Sequence, residues 1–298
     1  MEYIALGCMS GTSLDGIDCS LVKSDGVSYV TDISNEFIPY SDDLQLKLRN
    51  VILKGYLDDT KVINQLNQEY KDSINNFIKK NNFEIDLIAM HGQTIYHDQK
   101  TKISIQLFDK SIRFNTNSPV ICNFRKNDLL NGGNGAPIMP EFHRVLANQL
   151  DLKKVIFVNI GGVTNITVID NQKITAGDSS FGNAIVNDLI YEKTKERFDV
   201  DGSLSNNGQK IDVLFKRIIS DKYFLEKLPK SLDRNYFHKY IDNSNKDKNL
   251  NDLIYTLLEV IPFAINSLIS SQSEFKIILM GGGLSLIHIS EPTRLERI

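Results

Sequence analysis

The segment Gly7-Cys-Met-Ser-Gly-Thr-Ser-Leu-Asp-Gly-Ile-Asp18 gathers small residues, hydroxyls and two carboxylates between apolar runs. Such residues can surround an anion. Gly11 and Gly16 allow positive φ and close backbone approach, and Ser10, Thr12 and Ser13 add hydroxyl donors around Leu14 and Ile17. Asp15 and Asp18 could orient a hydrated Mg²⁺ that neutralises a polyphosphate. The chemistry suggested is nucleotide phosphate binding, although an ordinary Gly/Ser hairpin has the same composition. It is not a Walker or Rossmann loop. Those need a strand-to-helix turn, and here no Gly-Lys-Ser/Thr follows and no helix opens. Elsewhere, His91 and His97 lack the spacing and the third ligand of a zinc site.

The elements that must position these residues alternate between strand and helix. Tyr3 to Leu6 and Ile17 to Val22 read as strands flanking the loop. Ser41 to Lys54 and Lys61 to Lys80 read as helices, the second with Ile63, Leu66, Tyr70, Ile74, Phe77 and Ile78 on one stripe. Strands return at Ile85 to Met90, Ile103 to Leu107 and Pro119 to Phe124, followed by the turn-rich stretch Asn131 to Pro137. Val155 to Asn159, a turn at Gly161 and Gly162, and Val163 to Ile169 repeat the N-terminal plan of strand, small-residue turn and strand. Helices are expected over Gly182 to Arg197, Ile211 to Leu228 and Leu250 to Ser270, then a strand over Phe275 to Met280 ending in Gly281, Gly282 and Gly283. The pattern predicts an α/β fold of two related lobes, residues 1–150 and 151–283, with a nucleotide cleft between them.

With 298 residues and 41% hydrophobic content, the chain can bury an ample core without disulfides or a structural metal. A net charge of -3 gives no electrostatic footprint for nucleic acid. Cys8, Cys19 and Cys122 sit in apolar runs without CxxC spacing, which suits packing in a reducing cytoplasm. No signal peptide and no uncharged apolar run of about 18 residues is seen, so no membrane partner is expected.

Further segments stand in a distinctive order: His91-Gly-Gln-Thr-Ile-Tyr-His97, Phe124-Arg125, Gly132-Gly-Asn-Gly-Ala-Pro137, Phe142-His143, Asn159-Ile-Gly-Gly-Val-Thr-Asn-Ile166, Pro229-Lys-Ser231, Arg234 and Gly281-Gly-Gly283. Together with the N-terminal loop they resemble the anhydro-N-acetylmuramic acid kinase family, within the sugar kinase, Hsp70 and actin superfamily. The resemblance covers residues 1–283 and implies a two-lobed actin-like (duplicated ribonuclease H-like) ATPase fold. It implies a cytoplasmic enzyme of cell-wall recycling that uses ATP and Mg²⁺ on a small sugar. ATP phosphorylates O6 of 1,6-anhydro-N-acetylmuramic acid while water attacks C1 and opens the anhydro bridge. Asp178 falls where the family has an Asp that can serve as base, in Asp178-Ser-Ser-Phe-Gly-Asn183, and a structural helix cap is the other reading. Ser180 and Phe181 depart from the family pattern, as does Asn187 beside Asp188.

By the same resemblance, His91, Gln93 and Thr94 form a sugar-pocket loop after a strand, with hydrogen bonds from Gln93 and Thr94. Arg125, just beyond a strand end, would grip the lactyl carboxylate with its guanidinium fork, and a surface ion pair is the alternative. Gly161 and Gly162 would form a second phosphate turn, and Gly281 to Gly283 would approach the adenosine or simply make a sharp turn. A homodimer is left open. Leu284 to Ile298 departs from the family's continuation and reads as a foreign or frameshifted tail that leaves the second lobe incomplete, a genuine divergent ending being the alternative. Two other functions stay in view: an inactive nucleotide-binding regulator, and a kinase for another sugar or small acid.

Overall fold

A computed structural model describes residues 1–11, 14–54, 59–98, 100–241, 248–269 and 274–280. Thr12, Ser13, Gly281, Gly282, Gly283 and the stretch 284–298 therefore lie outside the described residues. The chain divides into two compact units: one of Met1–Ile138 with Asn148–Leu150, the other of Met139–Ala147 with the rest from Asp151.

The first unit is built on the strands β1 (Tyr3–Ser10), β2 (Gly16–Ser24), β3 (Val30–Pro39), β4 (Leu87–Asp98) and β5 (Ile103–Leu107), in the order β3-β2-β1-β4-β5. Strands β1, β2 and β3 form an antiparallel meander, and β4 runs parallel to β1. That parallel return requires a crossover, supplied by helices α1 (Asp42–Lys54) and α2 (Thr60–Asn81). The side chain of Asp59 caps α2 by accepting from the amides of Lys61 and Val62, and Asn82 ends the helix in the left-handed region. Val62, Leu66, Tyr70, Ile74 and Phe77 bury one face against Leu6, Cys8, Leu21 and Ile88. Ile63 and Ile78, expected on that stripe, are only half-buried, and at the start of the helix Val62 takes the inward position in place of Ile63. The run Pro119 to Phe124 yields only a two-residue strand, β6 (Val120–Ile121), and Phe124 already opens helix α3 (Phe124–Leu130).

The second unit repeats this plan. After α4 (Pro140–Gln149), the strands β7 (Lys154–Ile160), β8 (Val163–Asp170) and β9 (Lys173–Phe181) form an antiparallel meander. The crossover passes through α5 (Asn183–Thr194), α6 (Asp212–Ile219) and α7 (Leu250–Ile269), and β10 (Lys276–Met280) returns parallel to β7. Both units thus have the topology of a ribonuclease H-like half, which makes the repeat real at the level of strand order and direction. Helix α7 is long and apolar enough to cross a bilayer by length and composition, yet its Leu253, Leu257, Val260, Ile261 and Ile265 lie in the core of this unit. The helix expected over Ile211 to Leu228 stops at Ile219. There Asp221 accepts from the Tyr223 amide, and a short 3₁₀ turn over Lys222–Leu225 follows.

Candidate functional site

The N-terminal loop joins β1 directly to β2, so the strand-to-strand turn of the sequence is present, with Leu14 N donating to Gly11 O at 3.3 Å. Leu14, fully buried, takes the left-handed conformation at φ 62°. Gly16 has a different role from the one expected of it. It lies in β2 and not among the left-handed residues, and a Cβ there would stand 2.4 Å from Ile38 O and 2.8 Å from the Phe37 ring. Its missing side chain lets β3 pack, so Ile17 enters the core behind it. Asp15 and Asp18 are exposed at this end of the hairpin, Asp18 opposite Met9. Partial desolvation of its carboxyl beside the hairpin, followed by the nearby Asp15 charge, raises the Asp18 pKa. Two mutually repelling, solvent-facing carboxylates form a donor set that suits a hydrated Mg²⁺, which keeps most of its waters. Among the described residues no group of three or more His, Cys, Asp or Glu is placed to hold a metal by itself.

His91, Gln93 and Thr94 are within β4, not in a loop after it. The strand is longer than the apolar run suggested because it continues along β5, with Gln93 opposite Leu107 and Thr94 opposite Gln106. Gly92, at φ 77°, brings its backbone within reach of Leu107, where a Cβ would meet the carbonyl at 2.7 Å. His91 is buried, its Nδ1 2.7 Å from Gly92 O and its Nε2 accepting from Arg125 Nε at 3.1 Å. A carbonyl can only accept and a guanidinium only donate, so the ring is neutral with its proton on Nδ1. Burial, helped by the Arg125 charge, lowers its pKa to about 4, which agrees with that tautomer.

Arg125, which follows the end of β6, sits in the first turn of α3. Its NH1 group donates to Gly135 O at 2.8 Å, so the guanidinium is braced by the histidine on one side and the glycine-rich loop on the other. That loop is held by Asp128, whose Oδ2 accepts from the Gly135 amide at 2.6 Å. Asp128 carried no signal of its own, but a carboxylate three residues after an Arg and ahead of Gly132-Gly-Asn-Gly is placed to organise such a loop. Thr94 Oγ1 is buried with no protein partner, whereas both ends of the Gln93 amide are engaged inside the protein. Gln93 therefore does not offer the sugar the hydrogen bonds expected of it.

In the second unit, the Gly161 and Gly162 turn between β7 and β8 packs on the start of α5. Gly161 O accepts from Asn183 N at 2.8 Å, and Gly162 O from Gly182 N at 3.0 Å. Gly182 is required there, since a Cβ would lie 2.0 Å from Gly161 O. Asp178 is not a helix cap. It lies in β9, opposite Asn165 of β8 and buried. Its amide donates to Lys230 O at 2.8 Å, its carbonyl accepts from Tyr223 OH at 2.7 Å, and its Oδ2 accepts from the Leu232 amide at 2.8 Å. Since β9 is an edge strand, the Pro229 to Leu232 segment covers its outer side and fixes the carboxylate. Gly177 allows this close approach, as a Cβ would meet Lys230 O at 2.5 Å. Lys230 is itself buried, donates to Tyr223 O, and has its pKa lowered by burial to about 8.

One turn into α5, Asp188 is bound by both arms of Arg234, at 2.8 and 2.9 Å, and by His238 Nε2 at 3.0 Å. Burial pushes the Asp188 pKa up, but the His238 hydrogen bond and the Arg234 charge prevail and hold it at about 2. The adjacent Asn187, where the family has an Asp, leaves this ion pair intact. Buried Oδ1 atoms of Asn165 and Asn183 have no protein partner, and both residues neighbour Asp178 or the Gly161 turn. Neither was singled out as a site residue, although both belong to the segments that carry the family resemblance.

A family model described as anhydro-N-acetylmuramic acid kinase matches residues 2–289, past the Gly283 at which the resemblance was expected to end. Among curated relatives, the anhydro-N-acetylmuramic acid kinase of Pelagibacter ubique is 32% identical over 310 residues, covering 98% of this chain and 83% of that protein. That of Gluconobacter oxydans is 35% identical over 248 residues, covering 78% and 68%. A solved structure, the activator of 2-hydroxyisocaproyl-CoA dehydratase from Clostridium difficile, aligns over 96% of this chain and 81% of its own, at 10% identity and a TM-score of 0.39.

Proposed function

The chain belongs to the anhydro-N-acetylmuramic acid kinase family, and on that premise we propose a division of its residues between nucleotide, sugar and water. The protein is an ATP-dependent phosphotransferase that acts on an alcohol group, phosphorylating anhydro-N-acetylmuramic acid in peptidoglycan recycling. The overall conversion takes ATP, the anhydro sugar and water to ADP and N-acetylmuramic acid 6-phosphate. Water oxygen bonds to C1, the C1–O6 bond breaks, and O6 takes the γ-phosphoryl group.

Asp178 receives the proton that the attacking water gives up. The observation supporting this role is its buried carboxylate, held on a strand edge by the Leu232 amide, because a base must keep its orientation while charge develops. Gly11 and its turn hold the ATP phosphates, and Gly161 and Gly162 form the second turn. Ser10 and Leu14 are buried beneath the Gly11 turn, so the Ser10 hydroxyl is not the phosphate donor expected from the sequence. Mg²⁺ bound near Asp15 and Asp18 would offset phosphate charge. Arg125, braced by His91, meets the lactyl carboxylate, and the unpartnered Thr94 hydroxyl meets a sugar oxygen. Gly281 to Gly283, outside the described residues, are assigned to the adenosine by the family resemblance alone. The enzyme works in the cytoplasm, where its three free thiols, Cys8, Cys19 and Cys122, stay reduced.

The test is to incubate the purified chain with MgATP and 1,6-anhydro-N-acetylmuramic acid in H₂¹⁸O and to analyse the product by mass spectrometry. A 6-phosphosugar carrying one ¹⁸O at C1 is expected. A phosphorylated product that retains the anhydro bridge would remove the coupled water attack from this reading.

A further inference from the structure

Gln93 is fully buried, and its side-chain amide reaches Gly11 at the base of the N-terminal loop. Nε2 donates to Gly11 O at 2.8 Å and to Thr94 O at 3.3 Å, which uses both donors of the amide. Oε1 lies 3.3 Å from Tyr40 OH. The Tyr40 hydroxyl is also 2.8 Å from Ser10 Oγ and 3.2 Å from Tyr70 OH, and Tyr70 OH donates to Ser10 Oγ at 3.0 Å. Ser10 and Gln93 are register partners on the parallel strands β1 and β4, just past an irregularity that follows Cys8. Side chains from β1, the end of β3, α2 and β4 thus converge beneath the place where β1 runs into the loop. Burial pushes both phenols above their ordinary range, so both remain O–H donors.

We propose that Gln93 is a positioning residue for the nucleotide turn, holding the Gly11 carbonyl inward, and that Tyr40, Tyr70 and Ser10 hold Gln93. A peptide unit is planar, so a pinned carbonyl sets the plane of its peptide, and anion-binding turns act through such planes. The same strand thereby serves two ligands: Gln93 fixes the nucleotide turn, while His91 and Thr94 serve the sugar. This rests on the reading that the Gly11 turn holds the ATP phosphates.

Gln93→Met keeps the side-chain length and removes the hydrogen bonds. Calorimetry with a non-hydrolysable ATP analogue and Mg²⁺ should give about five- to tenfold weaker binding, the effect of one buried hydrogen bond. The KM for the anhydro sugar should stay within about twofold, a split that a general loss of structure would not give. Tyr70→Phe should weaken nucleotide binding in the same direction. The double variant should fall short of the product of the two effects, since both act on one network. If Gln93→Met does not fold, Tyr70→Phe alone carries the test. Unchanged nucleotide affinity in these variants, with a raised sugar KM, would overturn the positioning role and return Gln93 to the sugar site. Gly11→Val, measured in parallel, separates the premise from the inference. Abolished binding there with unchanged binding in Gln93→Met overturns only the positioning role, whereas unchanged binding in Gly11→Val overturns the phosphate turn itself.

Discussion

The base role proposed for Asp178 is separable from folding, because of its surroundings. Its backbone is fixed independently of its carboxylate, through Lys230 O and Tyr223 OH. Asp178→Asn can still accept from the Leu232 amide, so the edge of β9 should stay formed. We expect ATP and sugar affinities to hold while turnover falls by at least about 10²-fold, the effect of removing a general base. Binding and turnover that fall together would mean that the carboxylate holds its segment instead. Residue types and order in the sequence are enough to propose Asp178, Gly11, His91 and Arg125 as site residues. The direction of a side chain was not legible. Gln93 and Thr94 are neighbours of equal promise in sequence, yet a strand alternates its faces, and tertiary partners consume one amide and leave one hydroxyl unpaired.

At the scale of elements, the contact between the Gly161 turn and α5 is the most sensitive. The first amides of α5 have no partners within the helix, and Gly161 O and Gly162 O accept from three of the residues at its start, Gly182, Asn183 and Ala184. Gly182→Ala would place a methyl group 2.0 Å from Gly161 O, so the turn must move. A destabilisation of about 1 to 3 kcal/mol is expected from such crowding, read by chemical denaturation. Nucleotide affinity should fall with it; a stability loss with unchanged affinity would separate this turn from the phosphates. Strands with apolar runs, such as those over Tyr3 to Leu6 and Val155 to Asn159, were legible because their burial is written in composition. β3 and β9 were not. The half-exposed β3 reads Val-Thr-Asp-Ile-Ser-Asn-Glu-Phe-Ile-Pro, and β9 passes through Gly-Asp-Ser-Ser before its final Phe181, so pairing with β2 and β8 more than hydrophobic pattern makes them strands. The early stop of α6 has a similar cause. Asp221 is claimed by the nearby Tyr223 amide and by Tyr236, Lys239 and Tyr240 from well beyond the helix, the last three outside a local window.

Over the whole molecule, each unit buries one neutral histidine, at places the repeated plan does not relate, His91 in β4 and His143 in α4, and both bear on how the protein responds to acid. His91 in the first unit and His143 in the second both have their pKa lowered to about 4, chiefly by burial. His143 stacks on Phe157 with ring centroids 4.6 Å apart, and its Nδ1 lies 2.9 Å from Thr167 Oγ1. An unfolded histidine has a pKa near 6.5, so below that value the unfolded chain takes up protons that the folded one refuses. The stability each histidine contributes is full above pH 6.5 and is lost as pH falls toward 4, on the order of 1 to 2 kcal/mol apiece between pH 7 and 5. A second loss comes lower. Asp188, held at about 2, contributes stability that is full above the unfolded carboxylate range near 4 and disappears as pH falls through 2. The chain has no tryptophan, so the measurement is urea unfolding followed by far-UV circular dichroism at pH 7, 6 and 5. His143→Phe retains the stack on Phe157 and cannot titrate. It should start less stable at pH 7 through the lost Thr167 contact, and lose about half as much between pH 7 and 5 as the parent protein. An equal loss in both proteins would show that His143 accepts its proton without unfolding, and that the acid response of the second unit lies with its carboxylates.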